Sequence, residues 1–125
     1  MTTYTEPLNS VLETVGETPL VRVQASPEEV PVFAKLESFN PGASIKDRIG
    51  VYMLENLLER GDIDPGGTVV EPTAGNTGIG MALAATQVDL EVTFVVPEEF
   101  SVEKQVLMRA LGAEVVNTPT EDGMK

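Results

Sequence analysis

Along residues 45–60 the apolar side chains of Ile45, Ile49, Tyr52, Met53 and Leu57 recur at helical spacing, with Leu54 and Leu58 widening the stripe and Gly61 closing it. The pattern predicts an amphipathic helix that turns this stripe to the core. The other apolar runs are shorter. Residues 31–36 (PVFAKL), 68–70, 93–96 and 114–116 are rich in β-branched or aromatic side chains and predict strands. Residues 79–86 (IGMALAAT) are Ala-rich and suit a helix packed on a sheet, and Ser101 caps a further helix running through Val106, Leu107 and Leu111 to Gly112. Asn40-Pro41-Gly42 and Asp64-Pro65-Gly66-Gly67 are turns. GETPLVRV (residues 16–23) reads as a turn feeding a short strand, and the final TPTEDGMK as the beginning of another helix.

From residue 31 onward the elements therefore alternate strand and helix. Short apolar strands in that arrangement predict an α/β fold: a parallel sheet joined by right-handed crossovers, with helices flanking it. The chain shows no internal repeat and no low-complexity linker. Met53, Met81 and Met108 sit on apolar helical faces and are read as core. Glu98 and Glu99 are adjacent, diverge on any regular element, and are read as solvated; Tyr4 and Tyr52 join no constellation.

Composition narrows the chemistry. Hydrophobic residues make up 42% of the 125 and charged ones 22%, the balance of a globular domain rather than a disordered chain. Cysteine and histidine are both absent, which removes thiolate nucleophiles, His-based triads and the usual zinc ligands. No metal site is expected. The net charge of −12, from 20 acidic against 8 basic residues, argues against nucleic acid as a partner. Those acids are scattered along the chain, as on a strongly hydrated surface; adaptation to high salt is one reading, and stability measured against salt concentration tests it. No apolar run spans a bilayer and the first ten residues lack the pattern of a signal peptide, so no membrane partner and a cytoplasmic location are expected.

Two stretches carry candidate chemistry. In NPGASIKDRIG (residues 40–50) Ser44 is placed to cap the long helix, with Asp47 three residues on in the manner of a capping box. Lys46 then falls at about the second helical position, where the helix dipole disfavours a cation by roughly 0.3–1 kcal/mol. The same field, with desolvation, favours the neutral amine that attacks carbonyls. A solvated lysine beside Asp47 and Arg48 is the competing reading. The second stretch is VVEPTAGNTGIGMALAA (residues 69–85), where a strand passes through Thr73-Ala74-Gly75-Asn76-Thr77-Gly78 into a helix. In an open α/β sheet such a loop lies at the carboxyl end of a strand, where ligands bind, and the first helical amides favour an anion such as a carboxylate or phosphate. Gly75 and Gly78 allow the backbone to approach a ligand; equally, Gly75, Gly78 and Gly80 serve a tight turn and close helix packing. The spacing matches neither the dinucleotide fingerprint nor the P-loop.

Taken in order, GETPLVRV, ESFNPGASIKDRIG, EPTAGNTGIG and FSVEKQVLMRALGAEVVNTP resemble the cysteine synthase and cystathionine β-synthase family of fold-type II enzymes that use pyridoxal 5'-phosphate. The resemblance covers nearly the whole chain. It implies that Lys46 carries the cofactor and serves as the catalytic residue, that Asn76 bonds the cofactor's ring hydroxyl oxygen, and that Thr73, Ala74, Gly75 and Thr77 hold the substrate carboxylate. Ala74 departs from the family pattern, where serine is common. The implied fold is the three-layer, Rossmann-like smaller domain of those enzymes over residues 40–125, with residues 1–39 as an N-terminal segment that packs on the larger domain. The smaller domain is expected to be incomplete, and the family's phosphate-binding loop and its contact to the pyridine nitrogen have no counterpart in these 125 residues. The implied reaction is β-replacement on a small amino-acid substrate: O-acetylserine and sulfide give cysteine and acetate, or homocysteine gives cystathionine. A homodimer is the implied assembly. A non-catalytic fragment or a partner-binding domain is the alternative.

Overall fold

The computed structural model describes residues 6–23 and 30–122. Its elements are β1 (Leu20–Val23), β2 (Val32–Lys35), α1 (Lys46–Glu59), β3 (Gly67–Pro72), α2 (Asn76–Ala85), β4 (Leu90–Pro97), α3 (Val102–Ala110) and β5 (Glu114–Thr118). Single 3-10 turns lie at Val11–Thr14, Glu37–Phe39 and Thr120–Asp122. The last of these is all that is described of the helix expected at the C-terminus.

Strands β3, β4 and β5 pair in that order as a parallel sheet, with Val69 beside Val92 and Phe94 between Glu71 and Val115. Each crossover steps to the neighbouring strand, and the right-handed rule for such connections puts α2 and α3 on one face, where they touch. On β4 the alternate residues Leu90, Val92, Phe94 and Val96 turn to that face and are buried with Leu54, Met81, Ala82 and Met108. Met53 packs at the margin of this core. The opposite sheet face carries Val70, 61% exposed, and Val116, 44% exposed, so a third layer is not among the described residues. Glu98 and Glu99 are exposed, as read from the sequence.

Two expectations change. Residues 31–36 do not open the parallel sheet: β2 pairs antiparallel with β1, Val21 opposite Ala34, in a separate two-stranded sheet. A partner close in sequence needs no crossover helix, so the pairing is local. Leu20, Val21, Val23, Val32 and Phe33 remain exposed on this hairpin.

Helix α1 also buries only part of its apolar stripe: Leu54 is buried and Met53, Leu57 and Leu58 pack against the core, but the outer members of the stripe do not. Ile45 (53% exposed), Ile49 and Tyr52 (69%) point outward, while Asp47, Gly50 and Leu54 are buried. The cause is the contact with α2, where Gly50 meets Gly80: a Cβ on Gly50 would lie 2.6 Å from the Met81 amide nitrogen, and one on Gly80 would lie 2.7 Å from the Lys46 carbonyl oxygen. Backbone-to-backbone approach of this kind requires glycine at both positions and gives no hydrophobic signal.

Candidate active site

The crossing of α1 and α2 brings their N-terminal ends together. Lys46 is the first residue of α1 and is half-buried. Ser44 is buried and its Oγ accepts the Lys46 amide at 3.2 Å, so it caps the helix as expected. Ile45 already has helical angles (φ −57, ψ −20), so with Ser44 as the cap Lys46 falls at about the second helical position, as expected. The capping box does not form. Asp47 instead turns inward, wholly buried, where one carboxylate oxygen accepts the Gly42 amide and the other, Oδ1, has no partner. Burial pushes the Asp47 carboxyl up from the ordinary range, opposed by the Gly42 hydrogen bond.

The loop leading into α1 is fastened from several sides. Ala43 has φ 59, a left-handed conformation costly to a residue with a Cβ and held only where its surroundings over-determine it. Asn40, 3% exposed, supplies much of that determination: its Nδ2 donates to the Glu37 and Ser44 carbonyls at 2.9 and 3.0 Å, and its Oδ1 accepts the Gly16 amide at 2.8 Å. Beside it Arg48 forms a two-point ion pair with Glu37, 2.9 Å at each contact, and donates to the Gly16 carbonyl at 3.0 Å. Hydrogen bonds from Arg48, then from Thr18, hold the Glu37 carboxyl at about 2, well below its ordinary value. Lys35 adds a bond to the Thr18 hydroxyl at 2.6 Å. The residues of GETP, of LESFN and of SIKDR are thus joined in one polar cluster at the start of α1.

The loop leading into α2 is bare by comparison. Thr73 and Ala74 are buried at the end of β3. Gly75 is extended (φ −125, ψ −154), and a Cβ there would meet nothing within 4 Å. Helix α2 begins at Asn76, three residues earlier than its apolar run, so Asn76 and Thr77 belong to its first turn. The first helical hydrogen bond runs from the Ile79 amide to the Gly75 carbonyl, and the amides before it are the orphan donors of a helix start. The glycines divide between the two readings given them. Gly78 and Gly80 are packing residues, since a Cβ on Gly78 would sit 2.7 Å from Met108 Cε and 2.9 Å from Thr73 Cγ2. Gly75 alone borders open space.

The two starts are joined by Asn76, which is exposed and donates from Nδ2 to Ser44 Oγ at 3.2 Å. Lys46 and Asn76 therefore stand one serine apart, with Thr73, Ala74, Gly75 and Thr77 on the same loop as Asn76. An amine, an amide and a stretch of orphan backbone donors beside a residue with room for a ligand suit a carbonyl-bearing, anionic group such as a pyridoxal cofactor with its amino-acid substrate. Of the residues that fix this geometry, Asn40 was read from the sequence as part of a turn, and Glu37 and Arg48 were not singled out. Their signal lay in the spacing between GETP, LESFN and SIKDR, which no single-element pattern captures. Among the described residues no group of acidic side chains is arranged to hold a metal ion, and no helix is long and apolar enough to cross a membrane.

The sheet of this α/β domain ends in a glycine- and threonine-lined loop beside a helix-opening lysine. Residues 11–124 match the model of the pyridoxal-phosphate dependent enzyme family, and the chain belongs to that family. It is 50% identical over 120 residues to the O-acetylserine dependent cystathionine beta-synthase of Bacillus subtilis, covering 94% of this chain and 39% of that protein. A cysteine synthase of Helicobacter pylori is 46% identical over 121 residues, covering 94% and 40%. The structure of a cysteine synthase from Entamoeba histolytica superposes with a TM-score of 0.92 at 35% identity, over 99% of this chain and 38% of that one. The chain thus spans about two fifths of the length of these relatives.

Proposed function

We propose that residues 40–125 form the lysine-bearing part of a β-replacement enzyme that converts O-acetylserine and sulfide to cysteine and acetate. The observation that carries this reading is the Lys46–Ser44–Asn76 arrangement at the mouth of an otherwise open loop. Lys46 would hold pyridoxal phosphate through Nζ, and Asn76 would donate to its ring oxygen. The cofactor, when bound, supplies the electron sink for loss of the β-substituent. With the cofactor bound, Lys46 Nζ would be the base placed to take the substrate's α-proton. Thr73, Ala74, Gly75 and Thr77 orient the substrate carboxylate with backbone amides and the two hydroxyls; Ala74 brings no hydroxyl of its own.

Borohydride reduction in the presence of pyridoxal phosphate, followed by peptide mapping, tests the central assignment. A pyridoxyl group on Lys46 is expected; label confined to other lysines, or none at saturating cofactor, overturns it. The relative named for cystathionine synthesis also favours a second nucleophile, homocysteine. Offering sulfide and homocysteine to the same preparation with O-acetylserine, and identifying the amino acid formed, decides between the two.

A further inference from the structure

We infer that Ser44 is a positioning residue that fixes Lys46 and the Asn76 amide relative to each other; this rests on the function proposed above. Ser44 is 8% exposed, and its Oγ accepts two bonds, from the Lys46 backbone amide and from Asn76 Nδ2, each at 3.2 Å. A hydroxyl has two acceptor lone pairs, so both are engaged. The consequence falls on Asn76. Its side chain is exposed, and the bond to Ser44 turns its NH2 edge, instead of its carbonyl, towards the start of α1. With one N–H bound to Ser44, the second is left to donate to an acceptor beside Lys46.

Ser44 can serve as a fixed post because its own backbone is held independently of Asn76. Its carbonyl accepts Asn40 Nδ2 at 3.0 Å and the Asp47 amide at 3.3 Å, and the residue before it is the left-handed Ala43. Gly80 completes the geometry, since its bare Cα lets α2 lie against the Lys46 carbonyl. A serine that was only a helix cap would influence Lys46 but leave Asn76 unaffected. A serine that was only a partner of Asn76 would leave the Lys46 amide unprotected.

The test uses the 15N-labelled 125-residue protein and the variants Ser44→Ala, Ser44→Thr, Ser44→Val, Asn76→Ala and Ser44→Ala/Asn76→Ala. Ser44→Ala is expected to lower hydrogen-exchange protection of the Lys46 amide by about fivefold, the loss of one capping bond, and to shift the Asn76 side-chain NH2 resonances. Threonine should restore both and its isostere valine neither, which separates the hydroxyl from packing and keeps the test informative if alanine impairs folding. At one subsaturating concentration of pyridoxal phosphate, Ser44→Ala and Asn76→Ala should each lower borohydride-trapped pyridoxyl on Lys46, and the double variant should lower it no further than the worse single one. Unchanged Asn76 resonances in Ser44→Ala, equal behaviour of the threonine and valine variants, or independent losses that multiply in the double variant would overturn the inference. Absence of trapping in the unmodified protein would sink the proposed function, while the two resonance measurements would still decide whether Ser44 joins Lys46 to Asn76.

Discussion

The two helix starts that meet at the candidate site are built in opposite ways. The segment before α1 is closed by Asn40, Asp47, Ser44 and the Glu37–Arg48 pair, tightly enough to keep Ala43 left-handed. The segment leading into α2 has an extended glycine bordered by open space and, among the described residues, one side-chain bond, from Asn76 at the helix start. A reactive amine needs a fixed address, whereas a loop that receives a substrate needs unoccupied donors. The difference therefore separates the part of the site that the fold determines from the part that a ligand would complete.

If the α1 side is rigid because α2 is pressed against it, the glycine contact is the place to break it. Gly80→Val puts two methyl groups where a Cβ alone already lies 2.7 Å from the Lys46 carbonyl oxygen. Because the obstacle is backbone, a loss of about 3 kcal/mol in urea unfolding is expected; a variant as stable as the parent would show that the helices part at little cost. Next in size is Asn40→Ala, which leaves the Gly16 amide without its partner and the Ser44 carbonyl with only the Asp47 amide of its two donors. The expected loss is about 2 kcal/mol. A change near zero would mean that water replaces the asparagine and that the α1 loop is less closed than its bonds indicate.

Acid sharpens the same contrast, because the fastened side titrates in two opposing directions. Glu37 is held at about 2 in the fold against an ordinary 4.5, so its contribution is complete above 4.5 and disappears as pH falls towards 2. Asp47 is raised, chiefly by burial, so its contribution is complete below its ordinary 3.8 and disappears as pH rises through its value in the fold. Glu37→Gln should lower stability at neutral pH and flatten the loss between pH 4.5 and 2 relative to the parent. Urea midpoints measured across that interval give the comparison, and parallel curves for parent and variant would remove the Glu37–Arg48 pair from the account.

The α/β alternation, the strand and helix order from β3 onward and the buried Met81 and Met108 were legible because each is written in local periodicity and β-branched content. The orientation of α1 was legible only in part. Leu54, Met53, Leu57 and Leu58 of its stripe do face the core, but the packing face continues through Gly50 and Asp47, so a search for apolar spacing adds Ile45, Ile49 and Tyr52, which are exposed. Lys46 and Asn76 could be singled out as chemistry-bearing residues, but their meeting depends on Ser44, 32 residues before Asn76 in the chain. Asp47 read as half of a capping box because the spacing fitted; the Gly42 amide, offered by the turn before it, was the partner that prevailed.

The smallest expected change in stability carries the most information about the open side. Gly75→Ala adds a methyl group that meets nothing within 4 Å, at a φ of −125 that alanine adopts without strain. Unfolding free energy should stay within about 0.5 kcal/mol of the parent, and Lys46 should still be trapped with pyridoxal phosphate. The methyl group nevertheless projects into the space where the proposed substrate carboxylate would meet the orphan amides of α2. Steric cost of that kind, about 1–3 kcal/mol, corresponds to a rise of roughly 5-fold to 150-fold in the concentration of O-acetylserine needed to perturb the absorbance of the cofactor-loaded protein. An unchanged concentration dependence would show that the carboxylate is held elsewhere and that the openness of Gly75 serves no ligand. A large loss of stability would show instead that the loop before α2 is as fastened as the one before α1.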